Sequence, residues 1–230
     1  DADDLLLPGK IRRQVEALEE SGADAIMGDF LRLMNGEKKE PLNFHSRDRF
    51  ESVAEFVMYT LPLVGRCLYK LDLVRDAEGF AEFKRSEDFV FHFKLIAMGA
   101  KWIYQPDKLF LYRVYDDQNR LSSLASVAKT PGEAKERIIY VEKMMKEHDC
   151  WDDTVRKAMS YDCYRQAVSF YRLGMRDYGD LYLAMSKGYW DPPVIRGRGI
   201  YETLHRTLGP RLAGKLLASP LYRFIRRVIK

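Results

Sequence analysis

The sequence has 230 residues, 47% hydrophobic and 31% charged, enough to bury a proper core as one domain or one domain with a small appendage. Its formal net charge of +4 is carried by the end of the chain: residues 191–230 hold nine Lys and Arg against two acids, leaving 29 basic and 32 acidic groups before them, which excludes general nucleic-acid binding by the main body. Cys67, Cys150 and Cys163 lie far apart with no C-x-x-C pair, which argues against a disulfide framework or a zinc site and fits a reducing, cytoplasmic compartment, and no apolar run approaches the roughly 20 residues that span a bilayer.

Asp1, Asp3 and Asp4 open the sequence. At the end of a strand, Asp1 and Asp3 would point to one face and Asp4 would open the turn. Carboxylates so grouped suit a hard divalent cation, Mg²⁺ or Mn²⁺, although an acid cluster at a chain end also reads as a solvated turn. Pro8 stands where a helix can begin, with Ile11, Val15 and Leu18 as its apolar stripe, Arg12, Arg13, Glu16 and Glu19 outside, and Gly22 as its stop. Residues 23–34 read as a strand running into Asn35-Gly36, a hairpin signal, with 37–44 returning at an edge of the sheet. Phe50, Val53, Ala54 and Val57 form a helical face, and 63–70 suit a short buried strand near Gly65. Residues 76–85 read as a surface loop.

The stretch 84–115 carries the strongest hint of chemistry. Ser86 predicts a helix N-cap, placing Glu87 and Asp88 in the first turn, where unpaired amides and the helix dipole favour an ionised carboxylate that could act as a base. The same three residues also read as a plain helix cap. Phe89, Val90, Phe91, Phe93, Leu95, Ile96 and Met98 make the helix apolar on nearly every side, hence buried, and Gly99 ends it. His92 within it reads as a hydrogen-bonded core residue. Residues 101–104 and 108–113 then predict two short strands around a Pro106-Asp107 turn.

Beyond Ser123 the pattern turns helical. Pro131 opens a run with Ala134, Ile138, Val141 and Met145 on one face; a second run carries Val155, Met159, Cys163, Ala167, Phe170 and Gly174; a third, short helix falls around 181–185. Tyr161, Tyr164, Phe170 and Tyr171 sit at helical spacing and read as core and interface. Pro192-Pro193 marks a boundary, after which Pro220 separates two short helices. The second of these sets Leu221, Phe224, Ile225, Val228 and Ile229 against Arg223, Arg226, Arg227 and Lys230, a pattern that fits an anionic membrane surface met through 211–230 or a helix docked on the protein.

The ordered series DADDLLLP, ADAIMGDF, DAEGFAEFKRSED, GAKWIYQP and LYR resembles the family 2 glycosyltransferases, inverting enzymes of the GT-A fold. The resemblance covers residues 1–123. It implies an α/β architecture: residues 1–125 as the C-terminal part of a GT-A mixed sheet with flanking helices, 126–190 as a helical subdomain and 191–230 as a basic amphipathic tail. The first half of such a domain, with the nucleotide-base contacts, would then precede Asp1, and the residues present would bind a nucleotide sugar weakly by themselves.

By the same resemblance Asp1, Asp3 and Asp4, followed by Leu5-Leu6-Leu7-Pro8, bind a divalent metal and the donor diphosphate. Gly79, Phe80 and Glu82 lead to Glu87 and Asp88, with Asp88 as catalytic base and Glu87 its neighbour. Tyr112 and Arg113 close the site, Arg113 toward the cofactor and diphosphate. Tyr115 stands where many members have His, and the Gln-x-x-Arg-Trp signature of processive synthases is missing, which favours transfer of one sugar at a time. The implied partners are a nucleoside-diphosphate sugar and a saccharide or lipid-linked acceptor, with 63–70 lining them and 76–85 setting acceptor choice, at the cytoplasmic side of a membrane. The competing reading is a non-catalytic, membrane-associated scaffold that keeps the fold alone.

Overall fold

The computed structural model describes residues 3–40, 52–59, 63–115, 124–196 and 200–219. The architecture is α/β, a mixed sheet with flanking helices followed by a helical region. The chain divides into two units, Asp1–Asp117 with Ile139–Trp151, and Gln118–Ile138 with Asp152–Lys230. This partition runs across the boundaries at 125 and 190 drawn from the sequence.

In the first unit the strand β2 (Ala25–Met34) is central, and its first six residues are buried. β5 (Trp102–Arg113) lies parallel beside it, and β1 (Leu5–Leu6) pairs antiparallel with β5 through Leu5↔Leu111 and Leu6↔Phe110. On the other side of β2 run two short antiparallel strands, β3 (Glu37–Lys39), returned by the turn at Asn35 and Gly36, both at positive φ, and β4 (Cys67–Tyr69). The expected hairpin and edge are present as far as residue 40; the rest of the predicted return, 41–44, and Phe50 lie outside the described residues.

β5 is one strand, not the two predicted. Its ladder with β2 passes from Gly28↔Gln105 directly to Asp29↔Lys108, so Pro106 and Asp107 are extra residues at a bulge. A bulge accommodates a proline, which has no N–H to give to a ladder, without ending the strand.

The helix α1 (Lys10–Ser21) starts after Gly9 and stops at Gly22, both left-handed. Its inward face differs from the predicted stripe: Lys10, Gln14 and Leu18 are buried, while Ile11 and Val15 are 48% and 37% exposed. The reason is polar. Lys10 Nζ donates to Gln14 Oε1 at 2.5 Å and to the Cys67 carbonyl at 3.3 Å, and Gln14 Nε2 donates to the Arg66 carbonyl at 3.1 Å. These side chains satisfy backbone groups that burial would otherwise leave unpaired.

α2 (Val53–Tyr59) buries Ala54 and Val57 as expected, leaves Val53 half-buried, and also buries Phe56, which was not part of the predicted face. The predicted strand 63–70 is in part a 3-10 turn, Val64–Arg66, leading into β4. Gly65 is required there, because a Cβ would come within 2.6 Å of the Phe110 ring. A short helix that the sequence did not announce, α3 (Leu71–Asp76), takes the first residue of the predicted loop. α4 (Glu87–Ala97) is buried at Phe89–Phe93 and Leu95, and Gly99 closes it in a left-handed turn, donating to the Ile96 carbonyl at 2.9 Å.

The second unit packs α5 (Leu124–Lys129), the start of α6 (Glu133–Glu147), α7 (Asp153–Arg172), α8 (Arg176–Tyr189) and α9 (Ile200–Ala218). The predicted stripe of α7 is its core face as far as Phe170, with Val155, Met159, Cys163, Ala167 and Phe170 buried, while Gly174 lies past the helix end, exposed and at φ 77°. α8 is longer than the helix expected at 181–185, because Tyr182 stacks on Phe170 and its hydroxyl donates to the Pro131 carbonyl at 2.9 Å. Among the aromatics, Tyr164, Phe170 and Tyr171 are core and Tyr161 is half-buried.

α9 breaks at Gly209 (φ 69°, ψ 169°), just before Pro210. It is packed on α7 and buries His205 and Ala213. The helix expected after Pro220 lies outside the described residues. Among those described, no helix is long and apolar enough to cross a membrane.

Candidate active site

Of the N-terminal acids, Asp1 lies outside the described residues. Asp3 and Asp4 do not end a strand: Asp3 is exposed in a turn, and β1 begins only after Asp4. Asp4 is half-buried, and its Oδ1 accepts the backbone N–H of Arg113 at 2.8 Å. Leu7 N–H donates to the Leu109 carbonyl at 2.9 Å and Lys10 N–H to the Leu7 carbonyl, which pins the chain on both sides of β1. The acid segment and the Tyr112-Arg113 end of β5 are therefore held together, although 109 residues separate Asp4 from Arg113.

Arg113 is half-buried, with Nη1 donating to the Tyr115 hydroxyl at 3.3 Å. Its Nε is buried and has no hydrogen-bond partner among the described residues. Tyr115 thus supports the guanidinium. Tyr112 meets Phe30 edge-on at 6.4 Å, which seats that end of β5 against β2.

The second group of predicted residues sits at the start of α4. Ser86 is the N-cap by position, at φ 59°, but its side chain makes no capping bond. Asp88 Oδ1 instead accepts the Phe89 N–H at 2.7 Å, a bond that serves an amide of the first turn. Glu87 is exposed and Asp88 half-buried. Phe91 stacks on Phe80 at 4.5 Å, which ties the preceding loop to the helix.

One turn after Asp88, His92 is fully buried, with Nε2 2.7 Å from the Tyr69 hydroxyl and 3.7 Å from Cys67 Sγ. Burial pushes the His92 imidazole down to about 3 and the Cys67 thiol up to about 11, so both are neutral at ordinary pH. The Tyr69 hydroxyl is raised well above its usual value, first by burial, then by Cys67 and the Asp88 charge. Through His92, α4 is tied to β4, which pairs with the Ala25–Met27 end of β2, whereas Arg113 pairs with Leu33. The two predicted groups are carried at different stations along one strand.

A polar cluster that the sequence reading missed lies between them. Arg66 is fully buried, donates from Nε to the Gly28 carbonyl at 2.6 Å, faces Asp29 Oδ1 at 3.5 Å and packs against the Phe30 and Phe56 rings. Asp29 is pushed up to about 6 because its burial outweighs the Tyr104 hydrogen bond and the Arg66 charge. Burial likewise lowers Lys10 below its ordinary value. Gly28 leaves room for this cluster, since a Cβ there would meet Gln14 Nε2 at 2.9 Å. The signal available in the sequence was Gly28-Asp29 and Gly65-Arg66, polar residues beside glycines in otherwise apolar runs.

Asp3 and Asp4 offer carboxylate oxygens, hard donors that fit Mg²⁺ or Mn²⁺. Among the described residues no three His, Cys, Asp or Glu side chains converge on a point suited to a metal ion. In comparisons with known proteins, the chain matches no family model and no curated protein.

Proposed function

We propose that this chain is part of a metal-dependent, inverting glycosyltransferase of the GT-A type, similar to family 2, moving a sugar from a nucleoside diphosphate to an acceptor hydroxyl. The observation that carries the reading is the hydrogen bond from the Arg113 backbone N–H to Asp4, which holds the acid-bearing segment against the end of β5 that carries Arg113, whose Nε is buried with no hydrogen-bond partner among the described residues. Acids for a cation and a guanidinium for phosphate oxygens are the two charges that diphosphate recognition needs.

In this reading Asp3 and Asp4, with Asp1, hold Mg²⁺ or Mn²⁺, and Arg113, steadied by Tyr115, binds the diphosphate. The bound cation supplies neutralisation of charge on the departing diphosphate. Asp88 accepts the proton of the acceptor hydroxyl as that oxygen attacks the anomeric carbon, and the bond from that carbon to the diphosphate breaks. Asp88 suits the task because α4 is buried behind it and its carboxylate is tethered to the Phe89 amide. The substrate class is a nucleotide sugar with a saccharide or lipid-linked acceptor, as in the building of surface polysaccharide or glycolipid.

The test is release of nucleoside diphosphate by the intact protein from a panel of UDP-, GDP-, ADP- and dTDP-sugars, with a mixture of saccharide and lipid-linked acceptors. Release from one donor that requires Mn²⁺ or Mg²⁺ and vanishes with EDTA is expected. Lack of turnover and of binding across the panel would favour the scaffold reading.

A further inference from the structure

We propose that the second half of α9 is a membrane-anchoring surface that recognises anionic lipid headgroups, a property independent of the glycosyl-transfer reading. The side chains of this half-helix are distributed the wrong way round for a helix docked on a core. Toward α7 this half-helix presents its small residues: Ala213 is fully buried, and a Cβ on Gly214 would already lie 3.4 Å from Tyr171 Cβ. Outward it presents Arg211, Leu212, Lys215 and Leu216, with Leu212 57% and Leu216 36% exposed. At i, i+4 spacing the two leucines form one row and the two cations the row beside it. The helix therefore docks through Ala213 and Gly214 and leaves Leu212 and Leu216 in water, where they lose the stabilisation that burial would provide.

Charge selects the occupant. Residues 203–230 contain seven Lys and Arg and no Asp or Glu. Arg206 is bonded to Glu202 and Arg211 to Asp180, which leaves Lys215 as the cation this half-helix offers among the described residues, and the sequence beyond it adds Arg223, Arg226, Arg227 and Lys230. The same stretch interleaves Leu221, Phe224, Ile225, Val228 and Ile229 with those cations. A second copy of the chain would set this positive segment against its own like, and nucleic acid offers nothing apolar to cover the leucines. An anionic bilayer supplies both an apolar medium and negative charge at one boundary.

Vesicle co-sedimentation of the full chain tests this, using phosphatidylcholine alone and phosphatidylcholine with phosphatidylglycerol. Binding to the anionic vesicles about tenfold or more above the neutral ones is expected, with a loss of about tenfold in Leu212→Ser/Leu216→Ser and a smaller loss in Lys215→Glu. Because both leucines are exposed, the double variant should keep the circular dichroism and melting temperature of the parent. Equal binding to the two vesicle types would overturn the proposal, as would a double variant that binds like the parent while deletion of residues 220–230 removes binding. Binding to random duplex DNA in preference to anionic vesicles would also overturn it.

Discussion

The face that α1 turns inward can be decided by two neighbouring substitutions with opposite expected outcomes. Gln14 is 1% exposed and spans the seam, accepting from Lys10 Nζ and donating to the Arg66 carbonyl. Gln14→Leu keeps the volume but leaves a buried carbonyl without its donor and a buried ammonium without one of its acceptors. The first costs about 1–3 kcal/mol and the second, a hydrogen bond to a charged group, about 1.5–3 kcal/mol, so a loss of about 3–5 kcal/mol is expected. Val15, one residue on, is 37% exposed, and Val15→Ser should change stability by no more than about 0.5 kcal/mol. Urea unfolding of the whole chain, followed by a probe in the sheet unit such as Trp102 fluorescence, measures both. If Val15→Ser cost several kcal/mol and Gln14→Leu almost nothing, α1 would be turned by one residue to the Ile11–Val15–Leu18 stripe, and the polar seam would not exist.

Further outcomes follow from the site and the two units. Asp88→Asn should leave donor affinity nearly intact and lower kcat by about 10²–10⁴-fold, with Glu87→Gln costing less; steady-state kinetics showing the reverse order would move the base to Glu87. Asp29 holds its proton up to about pH 6 when folded but only to its ordinary 3.8 when unfolded, so between those values the folded state binds more protons and stability falls as pH rises. Chemical denaturation of Asp29→Asn and wild type at pH 4 and pH 7 should show the difference moving toward the variant by about 2 kcal/mol, whereas a constant difference would mean that Asp29 does not titrate in this window. In the helical unit Arg137 and Asp162 form a buried ion pair, and Asp162→Asn should cost about 3–5 kcal/mol while Arg137→Met/Asp162→Leu lies far closer to wild type. Equal losses in the single and double variants would show that packing, not the unpaired charge, sets the cost.

The elements written in local pattern were legible from sequence. The buried strand 25–34, the Asn35-Gly36 turn, the apolar α4 and the stripes of α6 and α7 each depend on residues within one or two turns of one another. What escaped depends on distant partners. Lys10 and Gln14 are inside only because the carbonyls of residues 66 and 67 arrive there, which no periodicity within α1 reveals. β5 runs through Pro106 because Gly28 and Asp29 of β2 accept a bulge opposite, and a proline in a short apolar run reads locally as a turn. For the site, the Asp4 and Arg113 segments were both picked out, yet the bond between them crosses a strand pair too short, at two residues, to be read from sequence. The Arg66–Asp29 pair was missed for the same reason, since a lone charge in an apolar run gains its meaning from the residue it faces.

The account stands most directly on the stereochemistry of transfer. With whichever nucleotide sugar supports turnover, proton NMR of the product gives the configuration at the transferred anomeric carbon. A single displacement, with Asp88 taking the acceptor proton, predicts a new glycosidic bond of configuration opposite to the donor's, dependent on Mn²⁺ or Mg²⁺ and lost in Asp88→Asn. Retention of the donor configuration, or transfer undiminished in Asp88→Asn, would contradict it.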